Sequence, residues 1–262
     1  QLVGTGLSGN MAFDIYGNAG TTVSGISASS VQAGTYPGVL QGFTNLNSVT
    51  GTSGAYGSLT YNLVADNNHA GFWDLVLTSS STTLQSGTTT DSASLSTASQ
   101  ISLTGATIKA NSANANLSAP VALAGATASI LDPNGFTISL ADNVTGNAPL
   151  HISSSTSSGM ILLNGTANIL PGGVQITSGT LAIGDIATPA ARLTADVSLG
   201  TNSVLQGHGT IVGAVNNSGG VVKPGGSIGT LAINGNYTQS ASSTLQIELD
   251  PGSTSLLSVT GT

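Results

Sequence analysis

The 262-residue sequence contains no cysteine, and only 5% of its residues are charged. Without cysteine, neither a disulfide framework nor a thiolate metal site can form. Three Lys and Arg side chains stand against ten Asp and Glu side chains, which gives a formal net charge of −7. Binding to a phosphate backbone needs clustered Lys and Arg. The composition therefore excludes nucleic acid as a partner.

Helical patterns and long apolar runs are also missing. Few windows place apolar residues at i, i+3, i+4 and i+7, and Gly, Ser, Thr and Asn interrupt each candidate helix. The sequence has no apolar run of the roughly 18 residues that cross a membrane, and no signal peptide opens it. We expect no transmembrane helix, and we expect a processed product or a portion of a longer protein.

Strand-forming residues dominate what is present. Hydrophobic residues make up 39% of the chain, which argues against disorder despite the 36 glycines. Short segments alternate apolar with small or polar residues, as in Ile101–Leu103, Val174–Ile176 and Leu245–Leu249. Alternation of this kind places one side chain inward and the next outward on a β-strand. The chain is therefore predicted to be ordered and all-β.

Some short segments recur at a nearly regular interval. Residues 103–107 read Leu-Thr-Gly-Ala-Thr, residues 123–127 read Leu-Ala-Gly-Ala-Thr, and a further match lies at residues 163–167. Such a period is typical of a β-solenoid, in which each strand pairs in parallel with its equivalent one turn later. A chain coiled along its whole length would form about a dozen turns. Chance matches or antiparallel sandwiches are the alternatives.

The segment at residues 205–249 joins tight turns to short apolar runs. Its turns read Gly207-His208-Gly209, Pro224-Gly225-Gly226-Ser227 and Gly235-Asn236-Tyr237. In this order they resemble the autochaperone segment that closes the passenger domain of a type V bacterial autotransporter. Residues 162–184 look, more loosely, like the passenger-associated transport repeat of that family.

The resemblance implies a right-handed parallel β-helix with a C-terminal β-rich cap, exported to the surface of a Gram-negative bacterium. It also implies a signal peptide and the protein's own outer-membrane β-barrel as a partner; neither is in this sequence, so we expect a truncated passenger. In the family the cap folds first outside the cell and templates the preceding turns. The implied cap core is Ile211, Val215, Ile228, Leu231, Ile233, Tyr237, Leu245, Ile247 and Leu249, and the cap turns are Gly207, Gly209, Pro224, Gly225, Gly226, Gly229 and Gly235.

Composition divides the chain into three parts. Residues 1–80 hold four of the five tyrosines and the single Trp73, which predicts a separate β-rich part or wider solenoid turns. Residues 81–203 are predicted to form solenoid turns. Residues 204–262 are predicted to form the cap, with Tyr237 either covering the last layer of the core or standing as an ordinary strand aromatic.

Motifs that could carry chemistry lack their structural context. The G-x-G-x-x-G match at residues 4–9 has no helix after it, and the G-x-S-x-G match around Ser227 lies in a turn between strands. The histidines, His69, His151 and His208, show no metal-ligand spacing. The aspartates are scattered beside turn residues, so paired carboxylates for glycoside chemistry are not evident. We expect no enzyme activity, no metal and no cofactor.

Two functions remain open for a chain of this kind. The first is an adhesin-type passenger, whose polar β-surface contacts host or bacterial surface ligands or promotes self-association and biofilm formation. The second is a passive stalk that presents a separate N-terminal enzyme domain. The sequence names no ligand.

Overall fold

The computed structural model describes residues 2–3, 9–10, 34–41, 49–50, 53–56, 59–79, 81–96 and 98–262. The chain forms two compact units, Gln1–Ser80 and Ser81–Thr262. Among the described residues, the helical structure is a single 3₁₀ turn at Ser92–Leu95. The prediction of an all-β fold is therefore confirmed.

The first unit contains a mostly antiparallel sheet. Its strands are β1 Leu2–Val3, β2 Gly9–Asn10, β3 Gly34–Gln41, β4 Val49–Thr50, β5 Ser53–Tyr56, β6 Leu59–Ala65 and β7 Phe72–Ser79. The sheet order is β1-β3-β7-β6-β5; β1 runs parallel to β3, the other pairs are antiparallel, and β2 pairs with β4. This arrangement is that of a β-rich subdomain, so the estimate of a dozen turns along the whole chain is wrong.

The second unit is built from short strands separated by turns. Their bounds are β8 Ser81–Leu84, β9 Thr89–Asp91, β10 Gln100–Leu103, β11 Thr107–Lys109, β12 Ala115–Leu117, β13 Val121–Leu123, β14 Ser129–Asp132, β15 Thr137–Leu140, β16 Val144–Gly146, β17 Leu150–Ser153, β18 Met160–Leu163, β19 Asn168–Ile169, β20 Val174–Ile183, β21 Arg192–Thr194, β22 Val197–Leu199, β23 Ser203–Gly207, β24 Thr210–Val212, β25 Val215–Asn217, β26 Val221–Pro224, β27 Thr230–Asn234, β28 Tyr237–Gln239, β29 Thr244–Leu245, β30 Leu249–Asp250, β31 Ser253–Thr254 and β32 Leu256–Val259.

All of these strands except β30 and β31 stack into three parallel sheets. Sheet 1 has the order β8-β10-β13-β16-β19-β21-β24-β27-β32, sheet 2 has β9-β11-β14-β17-β20-β22-β25-β28, and sheet 3 has β12-β15-β18-β20-β23-β26-β29. The long strand β20 passes around the corner between sheets 2 and 3 and belongs to both. The result is a β-solenoid of about eight turns, which confirms the predicted parallel β-helix.

Successive turns differ in length although their strands stay in register. Leu103 pairs with Leu123, as the first sequence repeat predicts. The turn that leads from Arg192 to its partner Thr210 is shorter, and the turn from Thr230 to its partner Leu256 is longer. The third repeat does not stack on the first two, because Leu163 lies in sheet 3. Turn segments of variable length therefore change the period and leave the pairing intact.

Alternate side chains of each strand point into the solenoid and form aliphatic ladders. In sheet 3 the ladder comprises Ile138, Ile161, Leu181, Leu205 and Val222, which pair in sequence and are fully buried. Neighbouring strands lie about 4.8 Å apart. Each buried side chain therefore contacts the equivalent side chains above and below it, and each turn removes an apolar layer from water.

One position in the ladder of sheet 1 is polar and fully hydrogen-bonded. Asn168 is buried; its Oδ1 accepts from the backbone N of Val144 at 2.7 Å, and its Nδ2 donates to the carbonyls of Gly165 at 2.7 Å and Arg192 at 3.0 Å. A buried amide costs free energy unless such partners are present. Asn168 thus holds the corner before β19 to the turns on both sides.

Two isoleucines on strands that are consecutive in the sequence test this core. Ile161 is fully buried on β18, whereas Ile169 is 47% exposed on β19. We expect Ile161→Ala to lower the free energy of unfolding by about 2–5 kcal/mol, because it leaves a cavity in the ladder. The matched Ile169→Ala should cost less than about 1 kcal/mol. Urea denaturation measures both, and equal losses would contradict the inward–outward assignment.

Candidate functional site

The predicted cap residues occupy the last turns of the solenoid, where burial decreases toward the C-terminus. Ile211, Val215, Leu231 and Ile233 are buried, and Ile228 and Tyr237 are half-buried. The exposed fractions of Leu245, Ile247 and Leu249 are 38%, 42% and 81%. The expectation that these last three side chains belong to the core is therefore wrong.

The exposure of these leucines and isoleucine follows from their place in the stack. Strands β28, β29 and β32 pair with one neighbour each, so no described turn packs beyond them. Strands β30 and β31 form a separate antiparallel hairpin. Leu245 has no described strand beyond it, whereas Ile247 and Leu249 lie in a loop and a hairpin outside the three sheets, so all three side chains keep contact with water.

Tyr237 ends one inward ladder. It pairs with Val215 in sheet 2, packs against the hydrophobic core and donates its hydroxyl hydrogen bond to Gln239 Oε1 at 2.5 Å. Burial raises the pKa of the Tyr237 phenol, and a hydrogen bond with Asn217 partly offsets this rise. The ring thus covers aliphatic residues while its hydroxyl lies at the polar rim.

The predicted turn residues lie at strand ends or in the turns between strands. Pro224 is a buried strand residue that pairs with Gly207. The other predicted residues lie in turns or bends between strands; these are Gly209, Gly225, Gly226, Gly229 and Gly235. Gly207 itself has a φ of 128°, and an added Cβ would lie 2.2 Å from the carbonyl oxygen of Ile183. Only glycine fits that position.

An ion pair ties the final loop to sheet 3. Lys223 Nζ lies 2.8 Å from Glu248 Oε1, and the backbone N of Glu248 donates to Ser255 Oγ at 2.9 Å. The hydrogen bond with Lys223 lowers the pKa of Glu248. A second ion pair, at 3.3 Å, joins Lys109 to Asp132. Both lysines are therefore engaged with carboxylates.

An open groove of about 530 Å³ lies on the outer face of sheet 2 and the corner that leads into it. Across its floor, His151, Gln175, Ser198 and Asn216 pair in order on four successive turns. The remaining lining residues are Pro149, Gly172, Gly173, Val174, Asp196, Val197 and Ala214. The groove therefore presents a row of polar groups spaced by the strand separation, about 4.8 Å.

The corner of this groove is lined mainly by small residues. Gly173, Asp196 and Ala214 each directly precede a strand of sheet 2. At Gly172 an added Cβ would lie 2.4 Å from the carbonyl oxygen of Asn147, so backbone there closely contacts backbone. Asp196 Oδ1 accepts from the backbone N of Ala214 at 2.8 Å. One carboxylate edge is thereby fixed at the rim of the groove.

The sequence did not identify this groove. Gln175, Ser198 and Asn216 belong to no motif, and their turns are separated by unequal numbers of residues. The available signal was that each is the polar residue between two apolar residues of a strand, but this pattern occurs throughout the chain.

The first unit contains a separate pocket of about 670 Å³, lined by Pro37, Gly38, Val39, Asp66, His69 and Phe72. His69 Nδ1 lies 2.8 Å from Asp66 Oδ2, and the backbone N of Asn68 donates to Asp66 Oδ1 at 2.7 Å. These two contacts lower the pKa of Asp66. The other residues that line the pocket are apolar or glycine, so the polar chemistry of the described lining is that of this pair.

The remaining sequence motifs do not assemble into a site. Ser227 is exposed in the turn after β26, and most of the G-x-G-x-x-G match lies outside the described residues. In the described part of the chain, no group of three His, Cys, Asp or Glu side chains could hold a metal ion. Its helical content likewise includes no segment that could cross a membrane.

No family model, curated protein or solved structure matches this chain.

Two glycines test the geometry of the last turns. We expect Gly207→Ala to destabilise the protein by about 3 kcal/mol or more, because it combines a left-handed backbone with a backbone clash. The control is Gly200→Ala, whose Cβ would lie 3.6 Å from the nearest atom, the carbonyl oxygen of Ile176. That variant should stay within about 1 kcal/mol of the parent in urea denaturation. Indistinguishable midpoints would refute the assigned role of Gly207.

Proposed function

We propose that this chain is the C-terminal part of a secreted autotransporter passenger of the adhesin type, displayed on a Gram-negative cell surface. The observation that carries the proposal is the unbroken stacking of the last turns on the rest of the solenoid. Strands β23 to β29 and β32 continue the three sheets in register. These strands cover the part of the sequence that resembles the autochaperone segment.

The continuity supplies a physical basis for templated folding. A terminal turn with its backbone groups and inward side chains in place offers a complete partner for the next turn. Each added turn forms parallel backbone hydrogen bonds and buries another aliphatic layer. In the proposed export route, folding outside the cell makes backward movement through the barrel unfavourable.

The adhesin assignment is favoured over a passive stalk by the groove of sheet 2. The side chains of Gln175, Ser198 and Asn216 form no hydrogen bond with any described residue, and all three are exposed. A stalk has no need for a concave row of free hydrogen-bonding groups. Concave sites with a few convergent polar groups are typical of ligand binding.

Surface display tests the export role. The chain is expressed with a signal peptide and an outer-membrane β-barrel in a Gram-negative host, and surface protein is quantified by antibody labelling. We expect Leu231→Asp, which buries a charge at a fully buried position, to reduce display at least about tenfold. Thr230→Asp, at the exposed neighbouring position, is the matched control and should display normally. Normal display of Leu231→Asp would contradict the templating role.

Adhesion of the same cells distinguishes an adhesin from a passive stalk. We expect cells that display the parent chain to aggregate, or to adhere to epithelial cells, more than cells that display an unrelated passenger at equal density. Equal adhesion at equal display would favour the stalk.

A further inference from the structure

From the groove of sheet 2 we infer that it binds an uncharged, hydroxyl-rich oligosaccharide that lies along the solenoid axis. The inference rests on the proposed adhesin function and names the ligand class of that surface. The observation behind it is that four polar side chains lie in a row on successive turns: His151, Gln175, Ser198 and Asn216.

The chemistry of these groups matches hydroxyls. The amides of Gln175 and Asn216 each offer donors and an acceptor, the hydroxyl of Ser198 does both, and the imidazole of His151 adds one more site. A sugar hydroxyl also donates and accepts, so either orientation of the ligand finds partners. Because the side chains of Gln175, Ser198 and Asn216 are not committed to other described residues, a ligand does not have to break existing hydrogen bonds there.

Charge excludes the acidic glycans. His151 is the one basic side chain among the lining residues, and Asp196 places a carboxylate at the rim. An anionic polymer would meet that carboxylate and a protein whose formal net charge is −7. Recognition of carboxylate or phosphate groups uses Arg or Lys, and the groove has neither.

The backbone of the floor disfavours an extended peptide. Strand β22 is paired with β20 on one side and β25 on the other, so its N–H and C=O groups are already used. Peptides that bind to sheets do so mainly through free backbone groups at an edge. Without an edge or a deep apolar pocket, the floor offers side-chain hydrogen bonds alone, which suits a glycan better.

The spacing supports a ligand that runs across the strands. Equivalent positions recur about every 4.8 Å along the axis, a step close to the length of one pyranose unit. Consecutive sugars could therefore meet consecutive turns. Gly172 and Gly173, at the corner beside this row, carry no side chain that could cover it.

Calorimetric titration of the 262-residue chain tests the inference. The probes are hexasaccharides of glucose, mannose and N-acetylglucosamine, a galacturonic acid hexamer, and an uncharged Ser- and Asn-rich peptide. We expect at least one neutral hexasaccharide to bind, and Gln175→Ala and Asn216→Ala each to weaken its binding about fivefold, as the loss of one hydrogen bond implies. Ser198→Tyr should abolish binding by filling the groove.

Thr145→Tyr is the matched control, because Thr145 is exposed on the outer face of sheet 1. It should bind like the parent, and thermal unfolding shows that each variant is folded. Absence of binding by all neutral hexasaccharides, equal binding by the Ser198→Tyr variant, or preference for the acidic hexamer or the peptide would overturn the inference. Binding in solution without surface display would refute the export role alone; normal display and adhesion without glycan binding would refute the ligand assignment alone.

Discussion

Parallel, in-register pairing between successive turns is the interaction on which the rest of this structure depends. It aligns inward side chains into aliphatic ladders, such as the one that includes Ile161 and Leu181, and it aligns outward side chains as well. A shift by one residue would exchange the two faces of a strand. The same pairing thus determines the core, and through it the row of polar groups on sheet 2.

The stack also explains where the chain deviates from a regular repeat. The segments at the corners differ in length from turn to turn, and residues with special roles lie near them. Asn168 forms hydrogen bonds with backbone groups of the turns on both sides, and Gly207 allows two backbones to approach closely. Leu249, in the antiparallel hairpin of β30 and β31, is exposed although it follows the strand pattern. Stability is therefore distributed along the axis, because each turn contacts only its neighbours.

The sequence was sufficient to predict the fold class, because the alternation within strands and the recurrence of Leu103 as Leu123 are direct consequences of turns that stack. It could not predict the number of turns, since insertions at the corners shift the period and the aromatic first unit forms an antiparallel sheet. Burial near the C-terminus was overestimated, because the alternation of Ile247 and Leu249 resembles that of a stacked strand although these residues lie in a loop and a hairpin. The groove could not be predicted, because it exists only when residues from four turns are aligned.

The register itself is open to direct measurement, since the chain has no native cysteine. Thr145 and Ile169 are partners on adjacent turns of sheet 1, and Ile169 is in turn the partner of Thr194. Adjacent positions fall within the Cα separation that a disulfide needs, whereas positions two turns apart do not. The measurement is the yield of the intramolecular disulfide after mild oxidation of cysteine pairs. The account predicts cross-linking of Thr145→Cys with Ile169→Cys and little for Thr145→Cys with Thr194→Cys; the reverse order, or equal yields, would contradict the parallel stack.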